Sequence, residues 1–222
     1  CVTVAELAED KAVREILPAL AAGARALGSP LVRNLATIGG NIGSARPAAD
    51  LLPALFVYRA RVAVASTEGE RQVPVETLIS GPGMTTLRPD ELIAGIVLPR
   101  PAAGSGAGYI NLGIRRAQDC NLVNVASYLA LDDRGTRIRE ARIALGSVGP
   151  TPLRATFAEK LIEGEVPGGV LFEKAGRAAM EASQPILDFR GSAEYRRAMV
   201  GVLTKRTLNI AWRQARGCGD SR

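Results

Sequence analysis

A chain of 222 residues that is 47% hydrophobic is long enough for one large domain or two small ones with a substantial core, and it has no apolar run long enough to span a membrane. It contains no histidine, which excludes Ser-His-Asp and Cys-His catalysis. Its three cysteines, Cys1, Cys120 and Cys218, form no Cys-x-x-Cys pair, which argues against a zinc or iron–sulfur site held by this chain alone. The net charge of +6 comes from scattered basic residues without interleaved aromatics, a pattern that fits an anionic dinucleotide or an acidic partner better than nucleic acid.

The predicted elements start at Thr3. Thr3-x-x-Glu6 is a capping box opening a short helix near 5–9. Val13, Ile16, Leu17, Leu20, Ala24 and Leu27 form the apolar stripe of a second helix, bent at Pro18 and ended by Gly28. A glycine loop follows around Gly39-Gly40. Asp50 is placed to cap a helix over 51–57, with Pro53 in its first turn. Residues 61–66 and 71–75 alternate around a turn and predict a hairpin; 92–98 predicts a further strand stopped by Pro99.

The stretch from Pro99 to Gly108 reads as a linker. Beyond it, 109–115, 122–131 and 137–145 predict three strands, and 154–162, 170–182 and 193–216 predict helices, the last capped by Ser192. Strands followed by a run of helices imply an α+β unit. Cys1-Val2-Thr3 carries no signal-peptide pattern, and unpaired cysteines fit a reducing cytoplasm, with all three expected as free structural thiols.

Thr37-Ile38-Gly39-Gly40-Asn41 carries the chemistry. Two adjacent glycines between a hydroxyl and an amide can bring consecutive N–H groups close to an anion such as a pyrophosphate. The spacing matches neither the Walker pattern nor G-x-G-x-x-G. Taken alone, Gly-Gly is also an ordinary turn.

The longer string Arg33-Asn34-Leu35-Ala36-Thr37-Ile38-Gly39-Gly40-Asn41-Ile42, followed by Pro47-x-x-Asp50-x-x-Pro53, resembles the FAD-binding (medium) subunit of the molybdenum hydroxylases, the xanthine dehydrogenase and carbon monoxide dehydrogenase family. The resemblance continues in order through Pro89-Asp90-Glu91-Leu92-Ile93, Arg115-Arg116 before Val123-Asn124-Val125-Ala126, Ala141 to Gly146, Pro150 to Ala155, and Ser192 to Arg197. It implies an N-terminal FAD-binding lobe of the PCMH type over 1–103 and a C-terminal domain over 109–217 with a three-stranded antiparallel sheet and helices. Cys1 matches a point inside the family pattern, so the FAD lobe is expected to be incomplete at its N-terminus, lacking an earlier Gly-Gly turn.

By resemblance, Thr37, Ile38, Gly39, Gly40 and Asn41 bind the pyrophosphate, while Asp50 contacts the flavin cofactor. Its role as a helix cap stays open beside this. Gly28 lies where relatives approach the flavin from a helix end, and Ile93 where an apolar side chain touches the ring; a helix-ending glycine and a core strand residue are the plainer alternatives. Relatives commonly place Tyr-x-Lys after the linker, where this chain has Tyr109-Ile110-Asn111, so Asn111 keeps a donor and loses the charge. Arg115 and Arg116 are open to an anion, a partner or solvent. The implied function is an oxidoreductase subunit of a cytoplasmic hetero-oligomer. It would pass electrons from two-iron–two-sulfur clusters on a small subunit through FAD to an external acceptor, with molybdopterin on a large subunit. The alternative is a non-catalytic assembly subunit that does not retain FAD.

Overall fold

The computed structural model describes residues 1–115 and 118–217; Arg116 and Cys218, singled out above, lie outside them. The N-terminal half opens with six short helices: α1 (Val4–Glu9), α2 (Lys11–Ile16), α3 (Pro18–Ala26), α4 (Pro30–Leu35), α5 (Ile38–Gly43) and α6 (Leu52–Val57). The Thr3 capping box forms as predicted, with Thr3 N–H donating to Glu6 Oε2 at 2.6 Å and Glu6 N–H to Thr3 Oγ1 at 3.2 Å.

Pro18 does not bend one long helix; it divides two. Leu17 leaves helical geometry and Pro18 becomes the first residue of α3, where its missing N–H costs nothing. Gly28 ends α3 in the left-handed region at φ +54°. Helix α4 was not anticipated, although Ser29-Pro30 is a start signal: Ser29 Oγ accepts from Val32 N–H at 3.3 Å.

Strands β1 (Arg61–Ser66), β2 (Gly69–Pro74) and, after helix α7 (Val75–Leu78) and the small hairpin β3 (Ile79–Gly81) with β4 (Met84–Thr85), β5 (Leu92–Val97) follow. They form a three-stranded antiparallel sheet in the order β2-β1-β5. The C-terminal half is a second antiparallel sheet, β6 (Ser105–Leu112), β7 (Val123–Leu131), β8 (Ile138–Gly146) and β9 (Leu153–Arg154), then helices α8 (Thr156–Ile162), α9 (Gly169–Ala182) and α10 (Ala193–Ala215). The three predicted strands are joined by a fourth of two residues. Ser192 caps α10 as expected, accepting from Tyr195 N–H at 3.1 Å.

The predicted linker is shorter than its composition implied. Ser105–Gly108 belong to β6, and Gly106 and Gly108 are buried beneath α10. A Cβ on Gly106 would lie 2.2 Å from Ala211 O, and one on Gly108 2.6 Å from Thr207 O. These glycines let a helix press onto a strand. Strand β7 is buried along its whole length. On one side Ala126, Tyr128 and Ala130 join the core with α1, α3, α5 and α6; on the other Val125, Leu129 and Leu131 pack with α8, α9 and α10.

Candidate functional site

The glycine stretch is helical where a loop was expected. Thr37, tied to Thr3 by a β-bridge, takes extended geometry and caps α5. Its hydroxyl accepts from Gly40 N–H at 2.9 Å, and its carbonyl accepts from Asn41 N–H at 2.9 Å. Ile38 N–H donates to Val2 O at 3.2 Å. Of the N–H groups that sequence reasoning offered to an anion, Gly39 is therefore the one with no acceptor among the described residues. The Thr37 cap has taken the Gly40 donor and the first bond of the helix the Asn41 donor, because the stretch begins a helix.

Thr37, Ile38 and Gly39 line a cavity of about 310 Å³ together with Ile93, Gly95 and Ile96 of β5, and Val2 and Leu7 also border it. The approach is close: a Cβ on Gly39 would lie 3.8 Å from Ile93 Cγ2. The structure thus brings Ile93 to the glycine helix, although it is far away in sequence, and makes that wall apolar. Asn41 Oδ1 is buried with no hydrogen-bond partner among the described residues. A buried acceptor left unpaired calls for a donor from elsewhere.

Gly28 is placed apart from this cavity. It lines a second one, about 490 Å³, with Ile114, Arg115, Asp119, Cys120, Phe189 and Arg190. Arg115 is exposed, and its N–H donates to Asp119 Oδ2 at 2.7 Å, which helps to hold that carboxyl below its ordinary value. Cys120 and Cys1 are free and exposed.

Asp50 does not cap α6. The cap position is Leu51, with no side-chain bond. The Asp50 carboxylate turns instead to the C-terminal half: Oδ1 accepts from Asn121 Nδ2 at 2.7 Å and from Tyr109 Oη at 3.2 Å. Asn121 Nδ2 also donates to Ala48 O at 3.2 Å, and Asn121 Oδ1 accepts from Asn111 Nδ2 at 3.0 Å. Tyr109 Oη accepts from Asn124 Nδ2 at 3.3 Å; that amide also donates to Ala49 O at 3.1 Å and accepts from Ser147 Oγ at 3.3 Å. Burial pushes the Asp50 carboxyl above its ordinary value, opposed by the bonds from Asn121 and Tyr109. Burial likewise raises the Tyr109 phenol, reinforced by the Asp50 charge.

Asn111 therefore meets Asp50 through Asn121, which sequence reasoning missed. The signal was present: Asn121 and Asn124 are amides at the start of a mostly apolar run, and a buried amide needs partners.

These features suit a dinucleotide. The apolar wall has the chemistry to receive an aromatic ring and the Gly39 N–H that of a donor to an anionic oxygen; Asn41 and Asp50 are not among the residues that line this cavity. No helix among the described residues is long and apolar enough to cross a membrane.

Residues 1–101 match the family described as the FAD binding domain in molybdopterin dehydrogenase, and residues 109–211 the CO dehydrogenase flavoprotein C-terminal domain. The chain is 30% identical to the putative xanthine dehydrogenase FAD-binding subunit of Escherichia coli (strain K12), over 97% of this chain and 73% of that one. It is 34% identical to the nicotine 6-hydroxylase medium subunit of Paenarthrobacter nicotinovorans, over 93% and 71%. Its fold superimposes on a chain of carbon monoxide dehydrogenase from Hydrogenophaga pseudoflava, in a form lacking the Mo-pyranopterin moiety of the molybdenum cofactor, with a TM-score of 0.89 and 34% identity, covering 95% of this chain and 72% of that one.

Proposed function

This chain belongs to the FAD-binding medium subunits of the xanthine and carbon monoxide dehydrogenase family, the flavoprotein components of molybdenum-containing oxidoreductases, and from that premise we propose that it is the electron-transfer subunit of a cytoplasmic hetero-oligomer. It stands between two-iron–two-sulfur clusters on a small partner subunit and an external acceptor, with molybdopterin on a large partner subunit. Residues 1–103 form its FAD-binding domain and residues 109–217 its C-terminal domain.

The observation that carries the reading is the meeting of the glycine helix with Ile93 around one apolar cavity, with a buried unpaired acceptor on the same helix. FAD, when bound, supplies the redox chemistry. The protein's part is to bind, orient and exclude water. Gly39 N–H and the Thr37–Gly40 cap hold the pyrophosphate end, where the absence of a side chain on Gly39 and Gly40 permits close approach. Ile38 and Ile93 supply the apolar wall. Asn41 Oδ1 and the Asp50 carboxylate accept from cofactor donors. Gly28, which lines the second cavity, and Asn111, which reaches Asp50 through Asn121, are assigned to the cofactor by resemblance alone.

The test is spectroscopic. The complex purified with its partner subunits should show a flavin absorption band that bleaches when the substrate of the complex is added and returns with an acceptor. An intact colourless complex would support a non-catalytic assembly role instead.

A further inference from the structure

At the end of α3 opposite Gly28, where Pro18 starts the helix, lies a cavity of about 360 Å³ that shares no lining residue with the one beside the glycine helix. Pro18, Pro101, Tyr58 and Tyr128 border it, with Arg14 of α2 and Gln214 of α10. Tyr58 and Tyr128 are 2% and 1% exposed, and their rings meet edge to face with centroids 6.4 Å apart. Tyr58 Oη accepts from Ala19 N–H at 3.2 Å, but its own proton goes to no acceptor among the described residues. Burial pushes the Tyr58 phenol far above its ordinary value, so it stays a donor at neutral pH. Tyr128 Oη has no partner among the described residues either, yet it is not sealed away: the little surface that Tyr128 keeps opens onto this cavity. Gln214 Oε1 accepts from Ala107 N–H at 3.0 Å, which leaves the NH₂ as the free end of the amide. Glu15, the one carboxylate at this cavity, faces Lys11 at 3.9 Å, and Arg14 beside them makes no ion pair among the described residues.

We propose that this cavity is a second ligand site, separate from the FAD site, and that it takes a small molecule bearing an oxyanion, a carboxylate or a phosphate, whose oxygens accept from the Tyr58 and Tyr128 hydroxyls and the Gln214 NH₂ and pair with Arg14. A buried hydroxyl without an acceptor calls for one, and here two of them border one space with an amide NH₂ and a guanidinium. The approach has the matching charge. A neighbouring cavity of about 520 Å³ shares Arg14, Glu15, Pro18 and Gln214 and adds Lys11 and Arg25, so three cations and one carboxylate line the way in. Such an excess draws anions. The two prolines and the faces of the phenols give the rest of the ligand an apolar seat, and the volume is that of a small-molecule pocket. The inference does not depend on where FAD binds.

The experiment titrates inorganic phosphate and acetate, separately, into the complete complex at an ionic strength held constant with chloride, read by calorimetry and by the ultraviolet difference spectrum of tyrosine. At least one probe should bind saturably, one equivalent per copy of this chain, and the tighter of the two tells whether the ligand carries a phosphate or a carboxylate. Tyr128→Phe keeps the ring and removes the hydroxyl. It should raise the dissociation constant of that probe about tenfold or more, the usual weight of a hydrogen bond to a charged group. Because that hydroxyl has no partner among the described residues, Tm without the probe should stay within about 1 °C of the parent. Arg14→Gln, an exposed change, should also weaken binding and flatten its dependence on salt, and it carries the comparison if Tyr128→Phe fails to assemble. Phosphate held at the glycine helix instead would be insensitive to both variants. Absence of saturable binding by either probe, or binding that both variants leave unchanged, would overturn the site. A loss of Tm in Tyr128→Phe with binding unchanged would make the hydroxyl structural and overturn it equally.

Discussion

Gly106 offers a direct measure of how tightly the C-terminal helix is seated. An alanine there puts its Cβ 2.2 Å from Ala211 O, 2.6 Å from Gln214 Cβ and 2.7 Å from Ala215 N. Two of those atoms are helix backbone, so no side-chain rotation relieves the overlap. To reach an ordinary contact of 3.4 Å, α10 has to move outward by about 1.2 Å. That movement pulls on the Ala107 N–H to Gln214 Oε1 bond of 3.0 Å and the Ser127–Thr207 hydroxyl pair at 2.7 Å, and it loosens Leu208 and Ala211, both fully buried. Overpacking costs about 1–3 kcal/mol, and a rigid backbone obstacle puts this case near the upper end. At about 2–4 °C per kcal/mol for a chain of this size, Gly106→Ala should lower Tm by about 6–12 °C. Gly169→Ala is the control: its Cβ meets nothing within 4 Å at the start of α9, so Tm should hold or rise slightly. Differential scanning calorimetry of both variants decides it. A Tm for Gly106→Ala within about 1 °C of the parent would refute the close seating of α10 on β6.

At Gly40 a Cβ would lie 3.1 Å from Thr37 Oγ1; Gly40→Val should abolish FAD retention in the assembled complex with the fold preserved, and undiminished FAD fluorescence after gel filtration would remove the glycine helix from the site. Asn41→Leu removes a buried, unpaired acceptor, so thermal stability should hold or rise while FAD retention falls; unchanged retention would show that this oxygen does not meet the cofactor. Glu91 is held at about 2, below its ordinary 4.5, by hydrogen bonds from the Arg71 side chain and the Arg88 N–H. A depressed carboxyl stabilises the fold above about pH 4.5 and loses that contribution as pH falls towards 2. Urea midpoints across that window should therefore fall more steeply for the parent than for Glu91→Gln, and parallel profiles would count against the Arg71–Glu91 pair.

Local signals were legible in the sequence when their partners are local. The Thr3–Glu6 box and the Ser192 cap each close within three residues, and both form as read. The alternation of 61–66 likewise gave the first strand of its hairpin. What escaped depended on distant partners. Asp50 has the chemistry of a cap, and only the fold reveals that Tyr109 and Asn121, some 60 and 70 residues away, compete for it. Gly106 and Gly108 look like linker glycines because composition cannot report a helix a hundred residues later pressing on them. At the glycine stretch Thr37, Ile38 and Gly39 line a cavity with Ile93 while Gly40 and Asn41 do not, and the bonds to Thr37 that occupy the Gly40 and Asn41 donors could not be foreseen without knowing that a helix starts there.

The sheet buried on both faces bears on how such chains can be recombined. The stretch from Pro99 to Gly104 looks like a safe crossover point for splicing the front of one family member to the back of another. Yet the back half carries Ala107, Tyr109, Ala126, Tyr128 and Ala144 as the floor on which the front half's helices rest. These five buried alanines and tyrosines of fixed shape leave little slack for a ceiling cut to another pattern. A chimera joined there would inherit a mismatched seam, and the Asp50 network that crosses it would be the first polar group stranded. Grafts meant to exchange flavin properties should therefore carry that floor along with the helices that stand on it.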